Sequence, residues 1–84
     1  MYEKKVNVKN KIGLHSKPAT YFVKKANEYK SSIMIYKDVE CANAKSLLGI
    51  LSIGIMGNDE IKISANGTDE EQAVEALVEL LEGL

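Results

Sequence analysis

The 84-residue chain has no arginine and no tryptophan, and one copy each of cysteine, histidine and proline. A single cysteine, Cys41, excludes an intramolecular disulfide and any zinc site built from several thiolates, and it fits the reducing cytosol. One histidine, with no second histidine or thiolate at ligand spacing, makes no metal site, and no cofactor is expected. The start, MYEKKVNVKN, lacks the apolar core of a signal peptide. The most apolar stretch, LLGILSIGIMG, is broken by glycine and serine well below the roughly 18 residues a membrane span needs. No linker, repeat or low-complexity segment divides the chain, so a single domain over residues 1–84 is expected.

What is present is a globular composition, 45% hydrophobic and 27% charged, with a formal net charge of −1. That balance conceals an asymmetry. Residues 1–45 hold ten lysines against four acids (+6), and residues 46–84 hold one lysine against eight acids (−7). Solvated faces of different charge and a basic surface for a partner are both compatible with this pattern. Nucleic acid is not expected as a direct partner, because the chain is slightly acidic overall and its basic residues do not interleave with aromatics.

The apolar periodicity changes along the chain. Val6 and Val8 alternate with polar residues, predicting a half-buried first strand that ends before NKIG. From Pro18 onward, Ala19, Phe22, Val23 and Ala26 form a helical stripe, with Ser16 placed to cap it and Pro18 in its first turn. SIMIYK reads as a second strand, DVECA as a short third after a tight turn, and EIKISA as a fourth. SLLGILSIG reads as a short apolar helix opened by Ser46. TDEEQAVEALVELLEGL reads as a final helix, with Thr68 and Glu71 in capping-box spacing and Ala73, Val74, Leu77, Leu80 and Leu81 inward. The order βαββαβα predicts a two-layer α+β sandwich, an antiparallel sheet with helices on one face. Cys41 is expected to be a small, half-buried side chain.

The octapeptide GLHSKPAT carries both the histidine and the proline at the first strand-to-helix junction. A helix start offers unpaired amide hydrogens and the positive end of the macrodipole, so it suits an anion. A phosphoryl group on His15 would meet the amides of Ser16 and Lys17, with the Lys17 ammonium as counter-charge and Pro18 fixing the first turn. A neutral imidazole nitrogen is nucleophilic near pH 7, and the phosphoramidate it forms is reactive enough to pass on. On spacing alone, a single histidine near a helix start is more often an ordinary solvated or hydrogen-bonded residue, and no nucleophile, base and orienting group assemble for hydrolase chemistry.

Ser46, in NAKSLLGILS, is a helix cap whatever else it does. Phosphorylation there would add charge at a helix N-terminus, which the fold tolerates, beside Leu47 and Leu48. In so short a helix Leu47, Leu48 and Leu51 cannot all point inward, so at least one is expected at an interface. Lys24, Lys25 and Lys45 would rim it for an acidic partner.

With both motifs in place, about thirty residues apart and in the right order, the chain closely resembles HPr, the phosphocarrier of the bacterial phosphoenolpyruvate-dependent sugar phosphotransferase system. The resemblance implies an open-faced β-sandwich of four antiparallel strands and three helices. It also implies that His15 takes phosphate on Nδ1 from phosphorylated Enzyme I and gives it to the IIA domains of sugar permeases. Ser46 aligns with the serine modified by HPr kinase/phosphorylase in the Firmicutes-type branch, which favours a catabolite-control repressor. The family's docking surface falls on Thr20, Lys24, Leu47, Leu48, Leu51 and Ser52. The expected form is a cytoplasmic monomer that is a carrier and not a conventional enzyme.

The chain departs from the family motif at Lys17, where arginine is found, and at Ser16, where alanine is usual. Arginine offers a planar fork to phosphate and lysine a compact point charge. Weakened relay would leave an HPr-like regulatory module acting through Ser46 as the alternative, although relatives of that kind lack the histidine and this chain keeps it. Lys17→Arg is expected to speed phosphoryl exchange with Enzyme I or leave it unchanged in stopped-flow measurements. A large slowdown would contradict the role of Lys17 as a counter-charge.

Overall fold

β-Branched and aromatic side chains pack well on a pleated surface, which is why SIMIYK forms a strand. In the computed structural model, which describes residues 1–84, that segment is β2 (Ser32–Lys37). The full order is β1 (Tyr2–Asn7), α1 (Ser16–Ala26), β2, β3 (Glu40–Asn43), α2 (Leu47–Ser52), β4 (Glu60–Asn66) and α3 (Glu70–Gly83). The strands form one antiparallel sheet in the order β1-β4-β2-β3. This is the βαββαβα α+β architecture expected from the periodicity.

Alternation sorts the two faces of the sheet. Val6 pairs with Ile61, Ile33 with Ala65, and Ile35 with both Ile63 and Ala42, and all seven side chains are buried. Against them pack Ala19, Phe22 and Ala26 of α1, Ile50 of α2, and Ala73, Val74, Leu77 and Leu81 of α3. Complete burial of a side chain such as Phe22 contributes about 2–3 kcal/mol. The other face is open: Lys62 lies 4.8 Å from the centroid of the Tyr36 ring and 3.6 Å from the Glu3 carboxylate.

Cys41 stands opposite Tyr36 on the open face and is exposed, not half-buried as expected, because its neighbour Ala42 takes the inward position. Asp38 and Val39 belong to the hairpin turn, Asp38 with a left-handed φ of 55°, so the third strand starts at Glu40 and not at Asp38.

The start of α3 also differs from expectation. The Thr68–Glu71 capping box does not form; Asp69 is the N-cap and makes no side-chain cap. Its carboxylate instead accepts from the amides of Lys30 (2.8 Å) and Ser31 (3.0 Å) and from the Ser31 hydroxyl. Those bonds, with the Ser31 hydroxyl foremost, hold its pKa below the ordinary carboxylate value. Three donors from the α1–β2 connection outcompete a single cap amide, and Asp69 thereby ties that connection to α3. Glu70 accepts from the Gly67 amide at 3.1 Å.

Folding brings the two unlike halves of the chain together. Lys4 pairs with Glu75 at 2.7 Å, Lys37 with Asp59 at 3.0 Å and Lys62 with Glu3 at 3.6 Å, each pair joining the basic half to the acidic one. The first two pairs set a lysine of the basic half against an acid of the acidic half and so offset part of the asymmetry, whereas Lys62–Glu3 runs the other way. The lysines of the GLHSKPAT junction and the exposed side of α1 are not part of that pairing.

Candidate functional site

The segment between β1 and α1 is fixed by backbone bonds to the segment leading into β4. Val8 donates to the Asp59 carbonyl (2.8 Å), Asn58 donates back to the Val8 carbonyl (2.6 Å), and Leu14 donates to the Ile55 carbonyl (3.0 Å). The approach is close enough to dictate residue types. A Cβ on Gly13, whose φ is 70°, would lie 2.2 Å from the Ile55 oxygen, and one on Gly57 would lie 2.4 Å from the Asn10 oxygen. Leu14 is fully buried beneath the junction, where truncation to alanine typically costs about 2–5 kcal/mol. The buried leucine and the backbone bonds fix the residue that follows, His15.

His15 is half-buried, has extended backbone (φ −128°, ψ 160°) and occupies the N-cap position of α1. Its carbonyl accepts from Ala19 at 3.4 Å. Ser16 is therefore not the cap, as the sequence suggests: the helix starts one residue earlier, and no side-chain cap bond is made. Ser16 is instead the first helical residue and takes a left-handed φ of 53°. Such a conformation costs a non-glycine residue about 1–3 kcal/mol and tends to occur at functional positions. Its carbonyl accepts from the Thr20 hydroxyl at 3.2 Å. The amides of Ser16 and Lys17 belong to the unpaired first turn, Pro18 has none to satisfy, and the exposed Lys17 forms no ion pair.

One neighbour of His15 was not foreseen. Its Nε2 lies 3.3 Å from the Met56 sulfur, across 41 residues of chain. No spacing in the sequence signals this contact, which follows from the pairing of the two loops. Met56 is itself held: its amide donates to the Asp59 carboxylate at 2.7 Å, and the same oxygen lies 3.0 Å from the Lys37 ammonium.

Ser46 caps α2 as expected, its hydroxyl accepting from the Gly49 amide at 3.0 Å. In the adjoining helix, Leu47 and Leu51 are part-exposed and Leu48 is 80% exposed, while Ile50 alone is buried. Thr20, Lys24 and Ser52 are exposed. The helices α1 and α2 pack together, aided by Asn27 Nδ2, which donates to the Lys45 carbonyl at 3.1 Å. Of the three lysines proposed as a rim, only Lys24 is uncommitted. Lys45 donates to the Tyr29 carbonyl at 2.7 Å, and Lys25 lies 3.5 Å from Glu28. None of the three surface depressions is lined by His15, Lys17 or Ser46.

A family described as the PTS HPr component phosphorylation site matches residues 2–83. The HPr-like protein Crh of Halalkalibacterium halodurans is 44% identical over 82 residues, covering 98% of both chains. The phosphocarrier protein HPr of Mycoplasma pneumoniae is 42% identical over 79 residues, 92% of this chain and 89% of its own. Among solved structures, HPr of Thermoanaerobacter tengcongensis matches with a TM-score of 0.97 at 46% identity, over 99% of this chain and 93% of its own. HPr from that organism has also been solved as a dimer. The chain belongs to the HPr family of the phosphotransferase system, and it is a phosphocarrier or an HPr-like module with the open-faced sandwich fold. No helix is long and apolar enough to cross a membrane.

The Asp59 carboxyl is held below its ordinary value of 3.8, chiefly by the Met56 amide and then by Lys37. A depressed folded-state pKa gives stabilisation that is present above the unfolded-state value and lost as pH falls through the folded one. Asp59→Asn is therefore expected to lower Tm at neutral pH and to lose less Tm than wild type between about pH 5 and pH 2, measured by circular dichroism. Parallel acid limbs for the two proteins would contradict this.

Proposed function

We propose that this chain is the phosphocarrier kind of HPr: His15 accepts a phosphoryl group from phosphorylated Enzyme I and delivers it to IIA domains of sugar permeases. The observation that carries the reading is a histidine at the N-cap of α1, ahead of a first turn with two unpaired amides and an unpaired lysine. A bond from phosphorus to a ring nitrogen forms as the donor's bond to phosphorus breaks. The amides of Ser16 and Lys17 and the Lys17 ammonium then meet the added negative charge. Such transfer is mainly positioning and charge stabilisation, and a docked partner supplies the rest. A surface histidine with no enclosing depression suits a group that several proteins must reach in turn.

Ser46 adds regulation. Modification by HPr kinase/phosphorylase would place about −1.5 to −2 charges beside Leu47 and Leu48, disfavouring apolar docking there and favouring the catabolite-control repressor. Thr20, Lys24, Leu47, Leu48, Leu51 and Ser52 form the partner surface in this reading, and the protein works as a cytoplasmic monomer. The regulatory module acting through Ser46 alone is the second reading. It is favoured by the likeness to Crh and by lysine in place of arginine at position 17. The retained His15 favours the carrier.

Incubation with phosphoenolpyruvate and an Enzyme I able to charge another HPr is expected to add one acid-labile phosphoryl group by intact mass, absent from His15→Ala. No adduct on wild type would transfer the lead to the regulatory reading.

A further inference from the structure

The contact between His15 and Met56 has chemical consequences for the ring. A thioether sulfur has lone pairs and no hydrogen, so it accepts and never donates. A neutral imidazole carries its proton on one nitrogen and its lone pair on the other. With Met56 Sδ 3.3 Å from Nε2, the hydrogen bond exists only when Nε2 holds the proton, and the lone pair then resides on Nδ1. Nδ1 has no hydrogen-bond partner within the protein.

Met56 is half-exposed, but its backbone is not a loose loop. The Asp59 carboxylate holds its amide, Lys37 holds Asp59, and the neighbouring Ile55 carbonyl accepts from the Leu14 amide. The segments carrying the sulfur and the imidazole are thus fixed to each other one residue away from each side chain.

We propose that Met56 is a positioning residue for phosphoryl acceptance: its sulfur selects the tautomer of His15 in which Nδ1 is nucleophilic, and restrains the ring plane. This rests on the reading of His15 as the phosphoryl acceptor. In the step itself, the Nδ1 lone pair forms the N–P bond while the donor's bond to phosphorus breaks and its electron pair stays with the donor. Nε2 keeps its proton throughout, so no base is needed to remove one.

The test uses long-range proton–nitrogen NMR of the unphosphorylated protein in alkaline solution. Wild type is compared with Met56→Leu, which keeps the volume and loses the acceptor, and with Met56→Gln, which restores an acceptor at similar reach. The ratio of Nε2–H to Nδ1–H tautomer is expected to fall about threefold in Met56→Leu and to recover in Met56→Gln. The rate of phosphoryl acceptance from Enzyme I should follow the same order, with the amide spectrum outside the two loops unchanged. An unaltered tautomer ratio in Met56→Leu would overturn the proposal. So would an altered ratio with an unaltered transfer rate. Failure of wild type to accept phosphate, with the ratios as expected, would overturn the carrier reading and the catalytic part of this one, while leaving the sulfur–imidazole coupling established.

Discussion

The constraint on which the rest of the structure depends is the backbone pairing between residues 8–14 and residues 55–59. Three main-chain hydrogen bonds join the two segments, and Gly13 and Gly57 let them approach where any side chain would collide with a carbonyl. Each such bond contributes only about 1 kcal/mol net. Together, over a buried Leu14, they give a surface histidine the fixed placement of an interior residue. The ordering cost is borne by the fold, not by each encounter with a partner.

The same arrangement separates stability from chemistry. The core lies between the sheet and the three helices and uses the inward positions of every element. The groups with proposed chemical roles are elsewhere: His15 and Ser46 each occupy the N-cap position of a helix, and the leucines of α2 face outward because Ile50 alone fills the inward position. A change in charge at either cap therefore leaves the core intact and alters what the surface offers. That is the requirement for a small domain that cycles between charged and uncharged forms.

Much of this was legible in the sequence, for identifiable reasons. β2 was readable to its boundaries because β-branched and aromatic residues alternate without interruption, and the faces of α1 and α3 followed from helical spacing. The junction between β1 and α1 was legible because Pro18 and the helical stripe that follows it mark where the first helix begins. The misreadings have a common cause, since local capping rules do not register tertiary competition. Asp69 is drawn to Lys30 and Ser31 across the fold, and Ser16 is displaced from the cap by the extended conformation of His15. Cys41 was misplaced because a four-residue edge strand gives too few positions to fix its inward phase. Met56 could not be read at all, since its contact depends on the register between two loops.

The central claim is that His15 is a relay, a way station and not an endpoint. The most direct measurement loads the purified protein with labelled phosphate from phosphoenolpyruvate through Enzyme I, removes Enzyme I, and adds a IIA domain. The account predicts that label leaves this chain and appears on the IIA domain. Label that stays on this chain in the presence of a IIA domain competent toward another HPr would contradict it.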